Sequence, residues 1–436
     1  MSVASCLEWI NRRRATTPYT VQRIPLATVP RWAADTVTGD LVHHSGRFFA
    51  VRGLEVTSTT DHPLNWAQPI LDQPEIGVLG ILCRPAPDGA YEFLLQAKME
   101  PGNVNLVQLS PTLQATFSNY SRVHGGRAPH YLEHFDGTVP GKVIADTVQP
   151  ETGTRFWKKR NRNVIIELER DPPVADGFRW IHQQVLERLL LVDDLVNMDA
   201  RSVLSTLPNF APRPTASVER KISELRRWIR VDRRIIPLNQ VQGWIADGDC
   251  IRHESQTFFE VVGVRVIAAE REVASWGQPL LLHRGLGLAA LFSRADAGVR
   301  RYLFQAKFEA GNHHLLELGP TVSVFDYQSR YERGVDVPYL REYMDLPKSA
   351  VLVSTVQSEE GGRFWDLRNR YVIVDVTDFV GLPRHESFVW LARDEIKSCL
   401  ECDCLVSSEA RSLILYADLV EGVGCQILGQ FPHHPT

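Results

Sequence analysis

The chain of 436 residues contains one polar stretch twice, about 209 positions apart. The first copy begins at Gln96 with Gln-Ala-Lys-Met-Glu-Pro-Gly-Asn, and the second begins at Gln305 with Gln-Ala-Lys-Phe-Glu-Ala-Gly-Asn. Matching segments extend along most of the chain at offsets of 208 to 210, as where Trp66 matches Trp276. A copy of roughly 210 residues can bury a core of its own. The repeat therefore predicts a duplicated domain rather than a solenoid.

Each copy is predicted to be α+β, with a mixed β-sheet flanked by helices. The segment from Pro208 to Pro214 holds three prolines and little periodicity, which is typical of a linker. We therefore predict a first domain over 1–207, a linker over 208–216 and a second domain over 217–436. Helices are predicted at 7–14, 180–191, 199–204, 217–230, 390–400 and 409–415, and strands at 47–56, 76–82, 91–97, 164–168, 257–266, 302–306 and 371–376.

The composition is that of an ordinary globular protein, with 44% hydrophobic residues, 23% charged residues and a net charge of -4. The slightly acidic balance argues against nucleic acid as a partner, and the absence of a long apolar run argues against a membrane span. The basic run Arg12-Arg13-Arg14 follows the first apolar residues, the reverse of a signal peptide, so we expect a cytoplasmic protein.

Seven cysteines in a chain of this length indicate free thiols rather than a disulfide framework. Cys399, Cys402 and Cys404 cluster, but a structural zinc site needs a fourth ligand and rarely uses this spacing. Leu189 and Val192 stand opposite the first two in the repeat, so we favour cysteines that fill apolar positions over a zinc site.

Gln96, Lys98 and Glu100 alternate at the end of a predicted strand and should therefore point to one face. A solvated sheet face is one interpretation, and a pocket wall is the other. The same trio in both copies favours the pocket, because solvent-facing residues change freely after duplication. A turn follows, and then a strand with several polar positions is predicted over 104–112. Its counterpart carries His313 and His314, which would point to opposite faces of a strand and make a poor pair of metal ligands.

Three further features have a structural and a functional interpretation. Arg122 lies among hydroxyl and amide side chains in 118–126, which suits a diphosphate group as well as a hydrophilic loop. The basic stretch 155–162 contains interleaved aromatics that either pack or help to bind a ligand, and nucleic acid is disfavoured. Trp66 and Trp276 can stack on a base or sugar, or serve as core or lid. Dinucleotide, P-loop, nucleophile-elbow and zinc-protease motifs are missing, so no built-in cofactor is expected.

The duplicated blocks resemble the NDP-hexose 2,3-dehydratases of deoxysugar biosynthesis. The resemblance is carried by Gln-Ala-Lys-Met-Glu-Pro-Gly-Asn-Val-Asn (96–105), Gln-Leu-Ser-Pro-Thr (108–112), Ser-Asn-Tyr-Ser-Arg-Val-His (118–124) and Lys-Arg-Asn-Arg-Asn (159–163). It implies a substrate such as dTDP-4-keto-6-deoxy-D-glucose and loss of water across C2 and C3 without metal or nicotinamide. It also implies two tandem Nudix-like domains and a homodimer. The Nudix metal motif is lacking, since 271–277 matches only a fragment of it.

Motif membership and side-chain type then give candidate site residues. Glu100 is the candidate base, Lys98 the stabiliser of an enolate oxygen, and Tyr120 or His124 the donor to the leaving hydroxyl. Arg122, Ser118 and Asn119 would hold the diphosphate. The full set of predicted substrate-binding residues is Trp66, Gln96, Asn103, Asn105, Gln108, Thr112, Ser118, Asn119, Arg122, Arg160, Asn161, Arg162, Trp276, Gln305, Lys307, Asn312, Tyr327, Arg330 and Arg363, and no metal ligand is predicted.

The first copy is expected to hold the working pocket, because its motif fits the family better. In the second copy Ala310 replaces Pro101 and His314 replaces Asn105. Two other functions stay open on the residues alone. An epimerase would remove the same proton without losing water, and a nucleotide-sugar binding module would use the duplicated pockets without catalysis. The nucleobase is indicated only by the resemblance.

Overall fold

The strands and α-helices of the two copies follow the same order, apart from a helix at Tyr327–Glu332 and a short strand at Phe364–Trp365 that are described only in the second copy. The structure, a computed structural model, describes residues 2–58, 65–116, 128–209, 211–268, 273–379 and 381–422. We refer to 2–207 as the first half and to 217–422 as the second half. The prediction of an α+β chain made of two similar halves is confirmed. The predicted domain boundaries stay a prediction. No helix within the described ranges is long and apolar enough to cross a membrane.

The strands of the first half are β1 (Tyr19–Ile24), β2 (Trp32–Ala34), β3 (Leu41–His43), β4 (Ala50–Ser58), β5 (Trp66–Asp72), β6 (Gly77–Pro85), β7 (Tyr91–Met99), β8 (Val107–Ser110), β9 (Leu113–Ala115), β10 (Gly141–Pro150), β11 (Arg160–Leu168) and β12 (Phe178–His182). Its helices are α1 (Val3–Thr16), α2 (Leu132–Phe135), α3 (Gln183–Leu189) and α4 (Met198–Ser205).

The strands of the second half are β13 (Val231–Ile236), β14 (Trp244–Ala246), β15 (Cys250–His253), β16 (Glu260–Ala268), β17 (Ser275–Leu282), β18 (Gly287–Asp296), β19 (Val299–Phe308), β20 (Leu316–Gly319), β21 (Val322–Val324), β22 (Val351–Ser358), β23 (Phe364–Trp365), β24 (Arg368–Asp375) and β25 (Phe388–Ala392). Its helices are α5 (Ala216–Trp228), α6 (Tyr327–Glu332), α7 (Leu340–Asp345), α8 (Arg393–Cys399) and α9 (Ser408–Gly422).

Each half builds a large mixed sheet and a smaller sheet. The large sheet of the first half has the order β10-β11-β6-β7-β12, with β8 on β7 and β9 on β6, and its β11–β6 pair is parallel. The second half repeats this arrangement with β22-β24-β18-β19-β25, with β20 on β19 and β21 on β18. Among the candidate site residues of the first half, Lys98, Glu100 and Gln108 lie in or directly after β7 and β8, where this large sheet approaches the second half.

Two segments predicted as helices begin as strands. The segments starting at Trp180 and Trp390 enter β12 and β25, which pair with β7 and β19, and turn helical only at Gln183 and Arg393. The prediction was wrong there because aromatic and branched residues fit a half-buried sheet as well as an amphipathic helix. His182 marks the change, since its ring accepts a hydrogen bond from the backbone and caps α3.

The polar strand predicted over 104–112 is also shorter than expected. Only Val107–Ser110 is extended, because the preceding residues form a turn closed by backbone and side-chain bonds of Asn103. In the second half His313 and His314 lie in the corresponding turn, before β20. Their rings are 4.9 Å apart, so they do not point to opposite faces of a strand as predicted.

The two halves exchange a strand. β1 of the first half lies antiparallel to β16 of the second, from Tyr19 opposite Ala268 to Ile24 opposite Gly263. In return β13 of the second half lies antiparallel to β4 of the first. Each smaller sheet is therefore completed by the other half. The backbone groups along β4 and β16 that would otherwise form an open edge are paired by this exchange.

The central helices α4 and α9 pack against each other between the halves, and one hydrophobic core includes residues of both halves. Two fully buried arginines bind across this contact. Arg201 donates to the hydroxyl of Ser412 at 3.1 Å, and Arg411 donates to the hydroxyl of Ser202 at 2.8 Å. Each arginine also donates to backbone carbonyls, so these buried charges have the hydrogen bonds they need.

We expect the separated halves to depend on each other for folding. Produced alone, the segments 1–207 and 208–436 should lack a cooperative urea transition, because each would expose a strand edge and the buried face of α4 or α9. Produced together, they should copurify and recover the transition of the full chain. Circular dichroism during urea titration measures this. Cooperative unfolding of either half alone, with native-like secondary structure, would contradict the expectation.

Candidate active site at the junction of the two halves

A charged network lies at the end of β7 in the first half. The ammonium of Lys98 is 3.2 Å from Oε1 of Glu100 and also donates to Oε1 of Gln114. The amide of Gln114 donates to the same Glu100 oxygen at 3.0 Å, and the hydroxyl of Ser110 donates to Gln114 at 3.0 Å. Glu100 is buried, and its charge is balanced by the neighbouring lysine. Lys98 and Glu100 thus face the same way, as the strand period predicted.

The alternation of β7 explains this placement. Ala97 and Met99 point into the main hydrophobic core, and Gln96 and Lys98 lie on the opposite, partly exposed face. Gln114 was missed by sequence reasoning, although it follows the repeated Pro-Thr pair by two positions. Its backbone belongs to β9, which pairs with β6 and brings the side chain over β7.

A loop of the second half closes over this network. The turn at Gly102 is fixed by two backbone bonds, from its own N–H to the carbonyl of Gly361 at 2.8 Å and from the N–H of Asp366 to its carbonyl at 2.9 Å. A methyl group on Gly102 would lie 1.5 Å from the carbonyl oxygen of Phe364. Only glycine permits this approach. The Lys98 network is therefore enclosed by residues of both halves, which the sequence did not reveal.

Neighbouring side chains strengthen the same junction. Gln108, which is fully buried, donates to the hydroxyl of Ser358 in the second half at 2.9 Å. Asn105 donates to the backbone carbonyl of Asp194 at 2.6 Å. Asn103 is buried and donates to the carbonyl of Leu106 at 3.2 Å. These three predicted binding residues therefore shape the turn and the junction beside the Lys98 network.

The positively charged side chain of Arg363, in the second half, contacts residues of the first half. Its guanidinium donates to Oε1 of Gln73 at 3.0 and 3.3 Å and lies 4.3 Å from the ring centre of Phe49. The repeat gives it a twin, Arg155, which donates to His283 at 2.9 Å in the second half. Arg155 was missed as a site residue, although the repeat alignment marks it. Burial lowers the pKa of Arg155 to about 9 and that of His283 well below its usual range.

Acidic groups with raised pKa values surround the network. Burial, with the nearby charge of Glu100, raises the pKa of Glu360. Burial also raises the pKa of Asp199 well above its usual range, and that of Glu151 to about 7. Burial lowers the pKa of Lys159 to about 8. Carboxyl and amine groups that titrate near neutrality are suited to proton transfer, which makes this junction a candidate active site.

The second half holds an equivalent network with different partners. Lys307 is 2.6 Å from Oε1 of Glu309 and donates to the hydroxyl of Ser323, which stands where the first half has Gln114. Burial opposes the charge of Lys307, but the carboxylates of Glu309 and Glu409 outweigh it and raise the pKa. The lysine of this second pocket is therefore held as a cation.

Two further positions distinguish the second pocket. Glu317, fully buried, occupies the place of Gln108, and burial raises its pKa well above the usual range. Thr152 occupies the place of Glu360, and its hydroxyl is 3.4 Å from Glu409. The second pocket thus holds several carboxyl groups around one lysine, but its crossing loop has a threonine at the position where the first pocket has Glu360. The pockets are copies in backbone and differ in charge.

Several predicted site residues make contacts that hold the framework together. The hydroxyl of Thr112 accepts the N–H of Leu82 at 3.0 Å and donates to the carbonyl of Leu94, which ties β9 to β6 and β7. Asn161, buried, donates to Glu151 at 2.6 Å and accepts the N–H of Gly77. These contacts give both side chains a role in the sheet.

Other predicted residues lie on the periphery. Arg162 binds Asp146 in a two-pronged, partly exposed ion pair, and Arg160 contacts the ring of His313 in the second half at 3.2 Å. Trp66 is 37% exposed at the start of β5. Its twin Trp276 donates to Gln278, packs edge-on against Tyr19 and is partly buried. Neither tryptophan is seen against the Lys98 network.

The remaining predicted residues divide into two groups. In the second half, Gln305 is partly buried in β19, Asn312 is buried beside Gly153, and Arg330 donates to the carbonyl of Phe325. Tyr327 begins α6 and packs edge-on against another tyrosine. The diphosphate and acid candidates Ser118, Asn119, Tyr120, Arg122 and His124 lie outside the described residues.

Cysteines and histidines do not gather into a metal site in the part of the chain that the structure describes. Cys399 and Cys404 are buried, and Cys399 belongs to the main core, as expected for cysteines in apolar positions. Cys402 is partly exposed, and its thiol is 3.7 Å from a carboxylate oxygen of Glu219.

Comparison with known proteins gives a consistent result. A sequence profile described as NDP-hexose 2,3-dehydratase matches residues 3–207 and 215–416, one segment in each half. The chain is 40% identical over 425 residues to a dTDP-4-dehydro-6-deoxy-alpha-D-glucopyranose 2,3-dehydratase of Streptomyces violaceoruber, covering 93% of this chain and 95% of that one. Proteins with the same name from Amycolatopsis orientalis and Saccharopolyspora spinosa are 39% and 37% identical, with 93% of this chain and 88% and 89% of theirs covered. The chain therefore belongs to the NDP-hexose 2,3-dehydratase family.

Proposed function

We propose that the protein removes water across C2 and C3 of dTDP-4-keto-6-deoxy-D-glucose, giving a 3,4-diketo-2,6-dideoxy sugar nucleotide. The relatives named for this reaction support the substrate and the chemistry. The observation that carries the proposal onto this chain is the network of Lys98, Glu100 and Gln114, closed over by a loop of the other half. A carboxylate held beside an ammonium suits removal of a proton next to a ketone.

The ketone at C4 supplies the electron sink. It acidifies the C3 proton, which Glu100 removes, and the resulting enolate oxygen is stabilised by the charge of Lys98. The enolate then expels the C2 hydroxyl as water, and the enol so formed tautomerises to the diketone. The reaction therefore needs no metal or nicotinamide. Gln114 bonds to both Glu100 and Lys98 and would hold the base and the cation in fixed relative positions.

The diphosphate of the substrate is negatively charged and needs cations beside it. Arg363 is partly exposed and is held by Gln73 and Phe49, so a planar guanidinium is already oriented there for an oxyanion. Arg122, Ser118 and Asn119 remain the sequence-based candidates for the diphosphate, and Tyr120 and His124 remain candidates for proton donation. A role in deoxysugar and antibiotic biosynthesis, a Nudix-like fold for each half, a homodimer and a cytoplasmic location are also proposals, based on the family resemblance and the sequence.

Product analysis tests the proposed function. The full-length protein is incubated with dTDP-4-keto-6-deoxy-D-glucose in the presence of a reductive trap, since the diketone is expected to be unstable. Mass spectrometry should show the loss of one water from the sugar, with the trapped oxygens at C3 and C4. An unchanged mass with inverted stereochemistry would indicate an epimerase. Saturable binding with an unchanged substrate would indicate a binding module.

A further inference from the structure

Glu360 is a second carboxyl group at the same place, and it comes from the other half of the chain. It lies in the loop that closes over the Lys98 network and is partly exposed. Gly362 stands between the two acids. A methyl group on Gly362 would lie 3.3 Å from Oε1 of Glu360 and 3.8 Å from Oε1 of Glu100. Carboxyl oxygens from both halves therefore lie within 4 Å of the same point beside Gly362.

The surroundings of the two acids differ in the charges they place beside each carboxyl group. Glu100 is bonded to the ammonium of Lys98, which favours its carboxylate form. The groups that interact with Glu360 include Arg363 on its own loop, Glu100 and Lys98 of the first half, Lys159 just before β11, and the acids Glu151 and Asp199. Burial and the charge of Glu100 outweigh these cations and raise the pKa of Glu360. Two neighbouring carboxyl groups in such different surroundings are suited to act as an acid–base pair.

We propose that Glu360 is the general acid that protonates the departing C2 hydroxyl, opposite the base Glu100. This inference rests on the proposed function, because it assigns a residue to one step of that reaction. The active pocket is then shared between the halves, with the base from the first and the acid from the second.

The step balances with these two groups alone. The C3–H bond breaks, its proton passes to the Glu100 carboxylate, and its electron pair forms the enolate. The C2–O bond then breaks as the enolate collapses, and the departing oxygen takes the proton of Glu360 to leave as water. Tautomerisation of the enol requires a proton at C2 and the loss of one from the C3 hydroxyl. Glu100, now protonated, can supply the first and Glu360, now ionised, can accept the second, which restores both groups.

The other pocket offers an internal comparison. Its lysine and glutamate, Lys307 and Glu309, repeat the first pair, but its crossing loop carries Thr152 where Glu360 stands. A threonine hydroxyl is a far weaker acid than a carboxyl group. The second pocket therefore has no carboxyl group at the position that the proposal assigns to the acid, in agreement with the expectation that the first pocket is the reactive one.

The variant Glu360→Gln separates the two half-steps. In deuterium oxide it should still exchange the C3 proton of the keto sugar at a rate within about threefold of the wild type, because Glu100 remains. Water loss should fall by about 10²- to 10⁴-fold, the range for a general acid. Glu360→Asp should recover part of the lost rate of water elimination. Glu360→Gln should turn over an analogue with fluorine in place of the C2 hydroxyl at nearly the wild-type rate, since fluoride leaves without a proton. Glu386→Gln, at an exposed position, is the matched charge control.

The outcomes are distinct. The acid role would be overturned if Glu360→Gln lost proton exchange and water elimination to the same extent. It would also be overturned if this variant were as slow on the fluoro sugar as on the natural sugar. A wild-type protein that exchanges the proton but never loses water would overturn the proposed function instead. The pH dependence of the two elimination rates gives an independent test. Wild-type water loss should decline at high pH as Glu360 ionises, and fluoride loss should not show that decline. Urea transitions of both Glu360 variants check that they fold.

Discussion

Replacing Glu100 by glutamine is expected to lower kcat for water loss by about 10²- to 10⁴-fold, with a small change in KM. Glutamine keeps the shape of the side chain and its contact with Gln114, but it cannot accept the C3 proton. Exchange of that proton with deuterium oxide should be lost together with elimination. This joint loss separates Glu100 from the residue that protonates the leaving group, and proton NMR of the keto sugar measures it.

The repeat supplies a matched control for this prediction. Glu309 occupies the same position in the second half, next to Lys307, and is equally buried. We expect Glu309→Gln to keep kcat within about threefold of the wild type, since a residue outside the reacting centre contributes little to the barrier. Strong loss of activity in Glu309→Gln with normal activity in Glu100→Gln would place the reaction in the second pocket. Normal activity in both would remove the base assignment altogether.

The repeated sequence was most informative for the side chains at the end of β7. Two copies of Gln-x-Lys-x-Glu were enough to predict that Lys98 and Glu100 share a face, because a strand has a period of two. The ion pair at 3.2 Å agrees with that prediction. Gln114 was not found, since its place beside Glu100 depends on β9 lying next to β6, which is a long-range pairing. A local pattern gives the direction of a side chain and leaves its distant neighbours unspecified.

The exchange of β1 and β13 illustrates a second limit. The two halves are similar, so a strand that fits one smaller sheet also fits the other, and the hydrophobic pattern is satisfied either way. The choice depends on the chain path and on the central packing of α4 and α9. For the same reason the sequence marked Arg363 as a binding residue without showing that it contacts Gln73 and Phe49 in the other half. The crossing loop with Glu360 could not be placed before the halves were seen together.

Duplication has allowed the two pockets to differ while the junction stayed the same. The backbone bonds at Gly102 and Gly361 recur at Gly311 and Gly153, with N–H to carbonyl distances of 2.8 and 2.7 Å. The charges around them recur only in part, since the lysine–glutamate pair is kept but Thr152 and Glu317 stand at the places of Glu360 and Gln108. A shared junction also means that each pocket depends on the fold of both halves, so a change at one turn affects the network beside it.

Gly102→Ala is accordingly expected to destabilise the protein by about 3 kcal/mol or more, at the upper end of what overpacking a tight contact produces. The added methyl would meet the Phe364 carbonyl at 1.5 Å, and a backbone atom at such a contact cannot rotate away as a flexible side chain would. The crossing loop would have to move, which would also separate Glu360 from Glu100. Activity should therefore fall more than the lost stability alone explains.

Urea unfolding and product formation, measured on the same samples, test this expectation. Gly422→Ala is the control, since a methyl group there would have no heavy atom of the described residues within 4 Å and the site lies at the end of α9. That control should match the wild type within about 0.5 kcal/mol, as surface changes usually do. A Gly102→Ala protein with wild-type midpoint and activity would show that the junction between the halves adjusts without strain. In that case the turn at Gly102 would not be what positions the loop carrying Glu360, because the turn could shift without moving the reacting groups.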